Sequence, residues 1–586
     1  MDSKSGSDRK QWIWAAIFAL ALSLAYAWMD DFSLVRMGLY QLERPDVGRP
    51  LFNALAFTGT YILCLGSLFL LQVHASRLVR FSTYGLILAT VGVFYGFSSV
   101  STRGFTVTEA TIVRVEAAYW SEAVRFHFAD YAPMLGAVCL GIAMIELLVL
   151  PRLPRPRTLW VGLAPLIAGA CCYQLLLVTD AKVDRFPIPF RVTILTAYVY
   201  NHESVDVGRR DEPTLSPTSD PLADHIVLLL DESIRGDMLS LNGGSLPTTP
   251  YLESIQERLF NYGVASAIAN LSAPANIILQ SGLKPEELPD LDMRSMKNPN
   301  LFAHTARAGF YNVLINAQNA LSRPPNFMTD RDVEALDEYL QIREIEPGLM
   351  NHEPDSRIPG ILHRIIAQNQ RSFSYVIKDG AHFPYTNRFP EEERVFRAEQ
   401  FMDAHDAATA ETVAEYVNTI RYSTDHFMQV LVPILEATGK NVLVIYTSDH
   451  GQSLFEEKDE RGKKIRGHGH HVDPPIEQAI IPLFLLPFGE TTRLALARRY
   501  APELIDRVSA YELFSTFLVM AGYDEDEVAG RYGHSIFDRN ADREDRTFVS
   551  GNHFGVDGPL YRDSPYRSSF SVNPFSWPRK RTTSTP

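Results

Sequence analysis

Five apolar runs crowd the first 180 residues of this 586-residue chain, at about 11–29, 50–74, 82–100, 132–150 and 158–179. Each is long enough to cross a bilayer as a helix. None contains Lys or Arg, and Glu146 is the one acid among them. Buried helices of a soluble core do not gather five at a time in so short a stretch. A cleavable leader fits the first run poorly, because further spans follow it and no small-residue cleavage site is evident. The pattern predicts a transmembrane domain of five spans over 1–180.

Charge orients that domain. Lys4, Arg9 and Lys10 precede the first run, Arg77 and Arg80 follow the second, and Arg152, Arg155 and Arg157 follow the fourth. The excess of positive charge on cytoplasmic loops places all three groups inside the cell. An odd number of spans then leaves everything after residue 180 outside. Residues 1–180 hold 14 basic and 12 acidic side chains, so of the net charge of −14 the remainder carries −16. Such a surface repels nucleic-acid phosphates and excludes that class of partner. The basic cluster Arg579-Lys580-Arg581 beside Trp577 reads as a solvated terminus. Cys64, Cys139, Cys171 and Cys172 all fall inside the apolar runs. The outer domain therefore has no disulfide and no thiolate metal ligand, and its stability rests on an ordinary core.

Between the two parts lies 181–224. Its first half, 183–201, reads as an amphipathic segment able to lie on a membrane surface, and its second, DEPTLSPTSDPLAD, as a linker. From 225 to 586 strand-like and helix-like segments alternate. Strands are expected at 225–230, 310–316, 372–378, 442–447 and 480–486. Helices are expected at 249–260, 300–309, 357–369, 409–437 and 508–521. This alternation predicts an α/β domain with a mostly parallel sheet between helices.

Two of the strands end on metal-type ligands. HIVLLLDES (225–233) stops at Asp231-Glu232, and NVLVIYTSDHG (441–451) stops at Asp449-His450. Ligands bind beyond the carboxyl ends of strands in open α/β sheets. Carboxylate and imidazole donors without sulfur suit zinc or manganese with an open coordination position. Further histidines follow strand ends: His382 in KDGAHFPY, and His468, His470 and His471 in RGHGHHVDPP. A hydroxyl nucleophile is offered by Ser233, beside Glu232.

Three strings carry a specific resemblance. LDESIRGDMLSLNGGSLPTTPYL (230–252) resembles the G-E-T-x-R…S-L-N-G-Y…T-T-P motif of the membrane-bound phosphoethanolamine transferases of the sulfatase/alkaline phosphatase superfamily. YTSDHGQSLFE (446–456) is similar to their S-D-H-G-E-S-L-G-E, and the stretch ending PPIEQAIIP at 482 to their L-H-G…A-P-x-E-Q-x-x-V-P. Five spans ahead of an outward domain match that family's layout. The resemblance implies Glu232, Asp449 and His450 as zinc ligands. It implies Ser272 as metal-bound nucleophile, about forty positions after Glu232 as in the family, where threonine is usual; Ser272 precedes the helical pattern APANIILQSG, whose opening amides are suited to a phosphate. Ser233 occupies the threonine of G-E-T, which is not the family's nucleophile. His382 and His468 correspond to substrate-binding or second-metal histidines, with His470 competing for the second place. Two departures bear on the acceptor: the lipid A-modifying members have disulfides in the soluble domain, and the loop EEKDERGKKIR (456–466) is distinct.

The function so implied is transfer of phosphoethanolamine from phosphatidylethanolamine to a cell-envelope glycan or glycolipid, such as lipid A or lipopolysaccharide core. It would proceed through a covalent intermediate on Ser272, with Zn²⁺ or Mn²⁺ as cofactor. The expected location is the bacterial inner membrane, multi-pass, with the catalytic domain in the periplasm. Alternatives are a lipoteichoic-acid-synthase-like phosphoglycerol transferase and a sulfatase-type hydrolase. Residues 270–278, NLSAPANII, lack the arginine of the C/S-x-P-x-R motif that sulfatases need.

Overall fold

The computed structural model describes most of 13–25, then 50–98, 128–149, 160–179, 186–202, 209–290, 292–318, 324–458, 464–469, 474–541, 543, 547–550, 553 and 560–563. The chain divides into two compact units, Met1–Asp206 and Val207–Pro586.

The described residues of the first unit are mostly helical: α1 (Pro50–Gln72), α2 (Arg77–Ser98), α3 (Phe128–Met144, continued by a π-turn over Ile145–Val149), α4 (Trp160–Thr179) and α5 (Ile188–His202). The described parts of all five apolar runs are helical apart from residues 73 and 74. By length and composition together, one described helix is long and apolar enough to cross a membrane, Arg77–Tyr95. Shorter apolar helices cover Thr58–Gln72, Ala132–Leu147, Leu163–Gln174 and Ile188–Ala197. α1 packs on α4, and α2 packs on α3 and α5. Cys64 and Cys172 bring their sulfurs to 3.5 Å across the first of these contacts. A bidentate pair joins α2 to the end of α3, with Arg80 Nε 2.7 Å from Glu146 Oε1 and Nη2 3.1 Å from Oε2. Burying the charges together satisfies both where neither would be tolerated alone. The segment expected to be a one-sided amphipathic helix differs from that reading. Of residues 186–195, Thr193 alone is exposed, because α5 inserts against α2 and α4.

The second unit is built on a seven-stranded sheet. Its strands are β1 (His225–Asp231), β2 (Phe260–Ser266), β3 (Tyr311–Asn316), β4 (Glu338–Gln341), β5 (Ser372–Ile377), β6 (Val442–Ser448) and, after a hairpin of β7 (Ser453–Lys458) and β8 (Lys464–Gly467), β9 (Ile480–Phe488). A further pair, β10 (Thr547–Ser550) and β11 (Leu560–Asp563), forms its own ribbon. The sheet order is β2-β9-β6-β1-β5-β3-β4. Pairing is parallel from β6 through β1, β5 and β3 to β4, while β9 runs antiparallel to both its neighbours.

β1 is apolar at every position from 226 to 230 because both its faces are covered. Ile226, Leu228 and Leu230 enter one core, together with residues of α6 (Ser272–Ser281) and α10 (Leu513–Met520). Val227 and Leu229 enter the other, with α7 (Pro354–Gln368) and α9 (Phe427–Ala437). The helix expected over 409–437 is one rod of three parts. α8 (Ala407–Ile420) passes through a π-turn, Arg421–His426, into α9. The helix expected at 249–260 stops early: a five-residue turn over Pro250–Ser254 gives way to β2.

The polar stretch 211–224, expected to be a linker, lies against this unit. Asp211 N donates to Lys297 O at 2.7 Å, and Thr218 N and Ser219 N donate to Gly522 O at 2.8 and 3.0 Å. Backbone groups that a free linker would leave to water are taken up by the domain.

Candidate active site

Parallel register sets the site. Asp231 lies opposite Ser448, and Leu230 opposite both Ile377 and Thr447. The residues that follow β1, β5 and β6 therefore emerge side by side: Glu232, the turn 378–382, and Asp449-His450. Gly451 is needed here for close approach, since a Cβ at that position would lie 2.1 Å from Glu477 O.

Four of the expected residues meet. Ser272 Oγ lies 3.0 Å from Glu232 Oε2 and 3.2 Å from His450 Nε2. His450 Nε2 is 3.3 Å from Glu232 Oε1 and 3.6 Å from Asp449 Oδ2. The other imidazole nitrogen, Nδ1, lies 2.8 Å from Gly451 O. A carbonyl only accepts, so Nδ1 carries a proton and Nε2 is the atom free to ligate. His382 is fixed the same way, with Nδ1 donating to Phe383 O at 2.6 Å.

The hairpin β7–β8 returns the chain so that His468 follows it directly. Its ring centroid lies 4.1 Å from that of His450. Ligand atoms of Glu232, His450 and His468 all lie within 4.8 Å of one another. Gln452 Oε1 accepts from His468 Nδ1 at 2.9 Å, which again directs Nε2 to the cluster. His470 and His471 lie outside the described residues.

Ser233 is held differently from Ser272. It is fully buried, sits at φ 59°, and donates to Glu232 Oε1 at 2.8 Å. Its amide donates to Asp449 Oδ1 at 3.0 Å. Ser233 thus braces two acids, while Ser272 is half-buried at the start of α6. Asn270 Nδ2 donates to Gln478 Oε1 at 2.9 Å, and Ala267 N to Ala479 O at 2.8 Å, so the PPIEQ segment holds the approach to Ser272. Asn276 Nδ2 donates to Ser272 O at 2.9 Å and its Oδ1 accepts from Tyr375 OH at 2.9 Å.

The electrostatics are those of a cation site. Burial works to raise the Glu232 carboxyl, but the bonded His450 and nearby His382 hold it well below the usual carboxylate range. Burial and then Glu232 push Asp449 up to about 8. For His450, burial opposes the charge, yet Asp449 and Glu232 raise it to about 9. Protons are thus favoured on both Asp449 and His450, beside an ionised Glu232. His382 moves the other way: burial lowers it despite the pull of Glu232. Oxygen and imidazole donors at this density fit a divalent metal, and Glu232, Asp449, His450 and Ser272 would hold it.

Two neighbours were not anticipated. Gln318, just past β3, donates to Glu232 Oε2 at 2.9 Å. The strand-end rule that found Glu232 applies equally to INAQ (315–318). Lys378 lies just past β5, buried with its Nζ on Asp231. A lysine at a strand end gives no sequence signal of this kind.

Comparison with known proteins agrees with the geometry. The Sulfatase family model matches residues 224–523, more than half of the chain. Kdo(2)-lipid A phosphoethanolamine 7''-transferase of Escherichia coli K12 is 24% identical over 275 residues, 44% of each chain. Phosphoethanolamine transferase EptA of Helicobacter pylori is 27% identical over 274 residues, 44% of this chain and 49% of that one. The chain spans about half the length of the curated relatives it matches. Among solved structures, the integral membrane protein lipooligosaccharide phosphoethanolamine transferase A of Neisseria meningitidis shares the fold. The TM-score is 0.54 at 16% identity, covering 86% of this chain and 95% of that one. With a strand-end cluster of acids, imidazole and hydroxyl inside the matched region, the chain belongs to the sulfatase family.

Proposed function

We propose that this protein is a membrane-anchored, metal-dependent phosphoethanolamine transferase with its catalytic domain on the periplasmic side of the bacterial inner membrane. The observation that carries the reading is the Ser272 hydroxyl, hydrogen-bonded to Glu232 and His450 at the ligand end of the sheet. The curated relatives are phosphoethanolamine transferases, which points the transferred group the same way.

The anchor is the set of five apolar runs. Large apolar side chains at Ile62, Leu86, Leu140 and Leu166 face outward from the first unit, which suits lipid contact. A donor that never leaves the bilayer is then reached without extraction. Phosphatidylethanolamine is the donor and an envelope glycan or glycolipid such as lipid A the acceptor.

Bound at Glu232, Asp449, His450 and Ser272, a zinc or manganese ion would supply the positive charge that stabilises the serine as an alkoxide near neutral pH. Ser272 Oγ attacks the phosphorus, the bond to the diacylglycerol oxygen breaks, and phosphoethanolamine is left esterified to Ser272. His382 and His468 serve the proton transfers. One takes up the Ser272 proton and passes it to the departing oxygen, then receives the proton of the acceptor hydroxyl as that oxygen attacks phosphorus and returns it to the serine oxygen. The serine oxygen is released and the pair returns to its starting state.

The test is donor choice. Full-length protein in vesicles of phosphatidylethanolamine is expected to release diacylglycerol and to transfer the headgroup to added lipid A. Release only from phosphatidylglycerol would make it a phosphoglycerol transferase. Hydrolysis without an acceptor product would make it a hydrolase, against which stands Asn276 in place of the sulfatase arginine.

A further inference from the structure

Lys378 is among the largest fully buried side chains, and taking an ammonium out of water costs several kcal/mol unless it is well partnered. Its partners all belong to the frame of the site. Nζ contacts Asp231 Oδ2 and Ser423 O, and lies 3.7 Å from Asp355 Oδ2. Asp231 in turn accepts from Tyr446 OH at 2.7 Å, and its Oδ1 accepts the amide of Glu232 at 3.0 Å. The carbonyl of Ser423 is available because the rod α8–α9 opens into its π-turn at that point. Such turns interrupt helices most often at functional sites.

The same lysine begins the turn that carries His382. Lys378 N donates to Leu230 O at 3.0 Å and Ala381 N to Glu232 O at 2.9 Å, so this turn grips the backbone on both sides of the strand end. Asp355 accepts the amides of Asp379 and Gly380 at 2.8 and 3.1 Å. Gly380 has φ 48°, and a Cβ there would lie 2.2 Å from Asp231 Oδ1. On its far side the turn faces a shallow cleft lined by Asp355, Arg388, Ser423 and Phe427. There Arg343 and Arg388 hold Asp379 Oδ2 at 2.8 and 2.7 Å, which fixes the middle of the turn but not its junction with β1.

We infer that Lys378 is a positioning residue for the metal centre: it locks Asp231 and the 378–382 turn together, and so fixes Glu232 and His382 as one unit. This rests on the metal-dependent reading above. Lys378 touches neither substrate nor the ion; it acts through Asp231. A purely electrostatic role gives the opposite sign, because removing a cation near the site would strengthen attraction for a divalent ion.

The experiment is Zn²⁺ titration of full-length, chelator-stripped protein in detergent, in competition with a chromophoric chelator and below the melting temperature of each variant. Lys378→Met, similar in volume and uncharged, is expected to bind about tenfold more weakly, as for other groups that orient metal ligands. The double variant Asp231→Asn/Lys378→Met keeps an oxygen for the Glu232 amide and removes the unpaired charge. It is expected to recover to within about threefold of the parent. Wild-type or tighter binding in folded Lys378→Met, or no recovery in the double variant, overturns the inference. Should Lys378→Met fail to fold, Lys378→Gln decides, since its amide keeps a donor for Asp231 while removing the charge: weaker binding supports the inference, and wild-type or tighter binding overturns it. A parent protein that binds no Zn²⁺ instead refutes the metal reading itself.

Discussion

Ser233 and Ser272 share one carboxylate, and their surroundings separate their roles. Ser233 spends its hydroxyl and amide on bracing Glu232 and Asp449, whereas Ser272 stands half-buried at a helix start. Ser272→Ala is therefore expected to lower transfer by about a thousandfold or more while leaving Zn²⁺ binding measurable. Ser272→Thr, the residue usual in the family resembled, is expected to keep activity, as a transfer assay would show. Proton balance gives a second prediction. His450 is held at about 9 by Asp449 and Glu232, so below that pH a metal must displace its proton. Zn²⁺ affinity should rise with pH up to about 9, by about tenfold per unit for each proton displaced. A flat profile in chelator competition would contradict this. At this scale Glu232, Asp449 and His450 are legible because strand ends announce themselves, and Ser272 only through the resemblance to the transferase family, which supplies its offset from Glu232. Gln318 was within reach of the same strand-end rule, whereas Lys378 was not, because its significance lies in which strand is adjacent and strand order is not written along the chain.

Among elements, the parallel core was legible from buried apolar runs, and β1, β3, β5, β6 and β9 begin within a residue of expectation. The reversal of β9 was not, since an apolar strand reads alike in either direction. β2 hid behind a helical start whose apolar spacing continues into the strand. β4 is short and half-buried, so it offered no contrast. The π-turn at Arg421–His426 has no periodic signature in a helix this apolar. Its effect is concrete: Asp425, held on that turn, accepts the amides of Tyr251 and Leu252 at 3.0 and 2.9 Å. It thereby caps the short helix Pro250–Ser254 from across the fold. Asp425→Ala is expected to cost about 1–2 kcal/mol, the range of a lost helix cap. Calorimetry should show a lowered melting temperature in the catalytic unit, and an unchanged one would refute the cap.

For the whole molecule, two units of different character follow from two composition regimes, apolar helices before residue 207 and an acidic α/β domain after it. The charge pattern predicts their sides of the membrane. In a background lacking the native cysteines, Leu153→Cys should be shielded from a membrane-impermeant maleimide in intact spheroplasts. Glu212→Cys, exposed at the edge of the catalytic unit, should react. The reverse pattern would invert the topology and remove the site from its proposed acceptor. The proposed chemistry turns on one covalent event, in which a membrane lipid gives its headgroup to Ser272. Peptide mass spectrometry after brief incubation of the full-length protein with phosphatidylethanolamine, without acceptor, tests it most directly. A phosphoethanolamine adduct on the peptide containing Ser272, absent from Ser272→Ala, is the predicted result; an adduct on Ser233, or none while transfer proceeds, would contradict it.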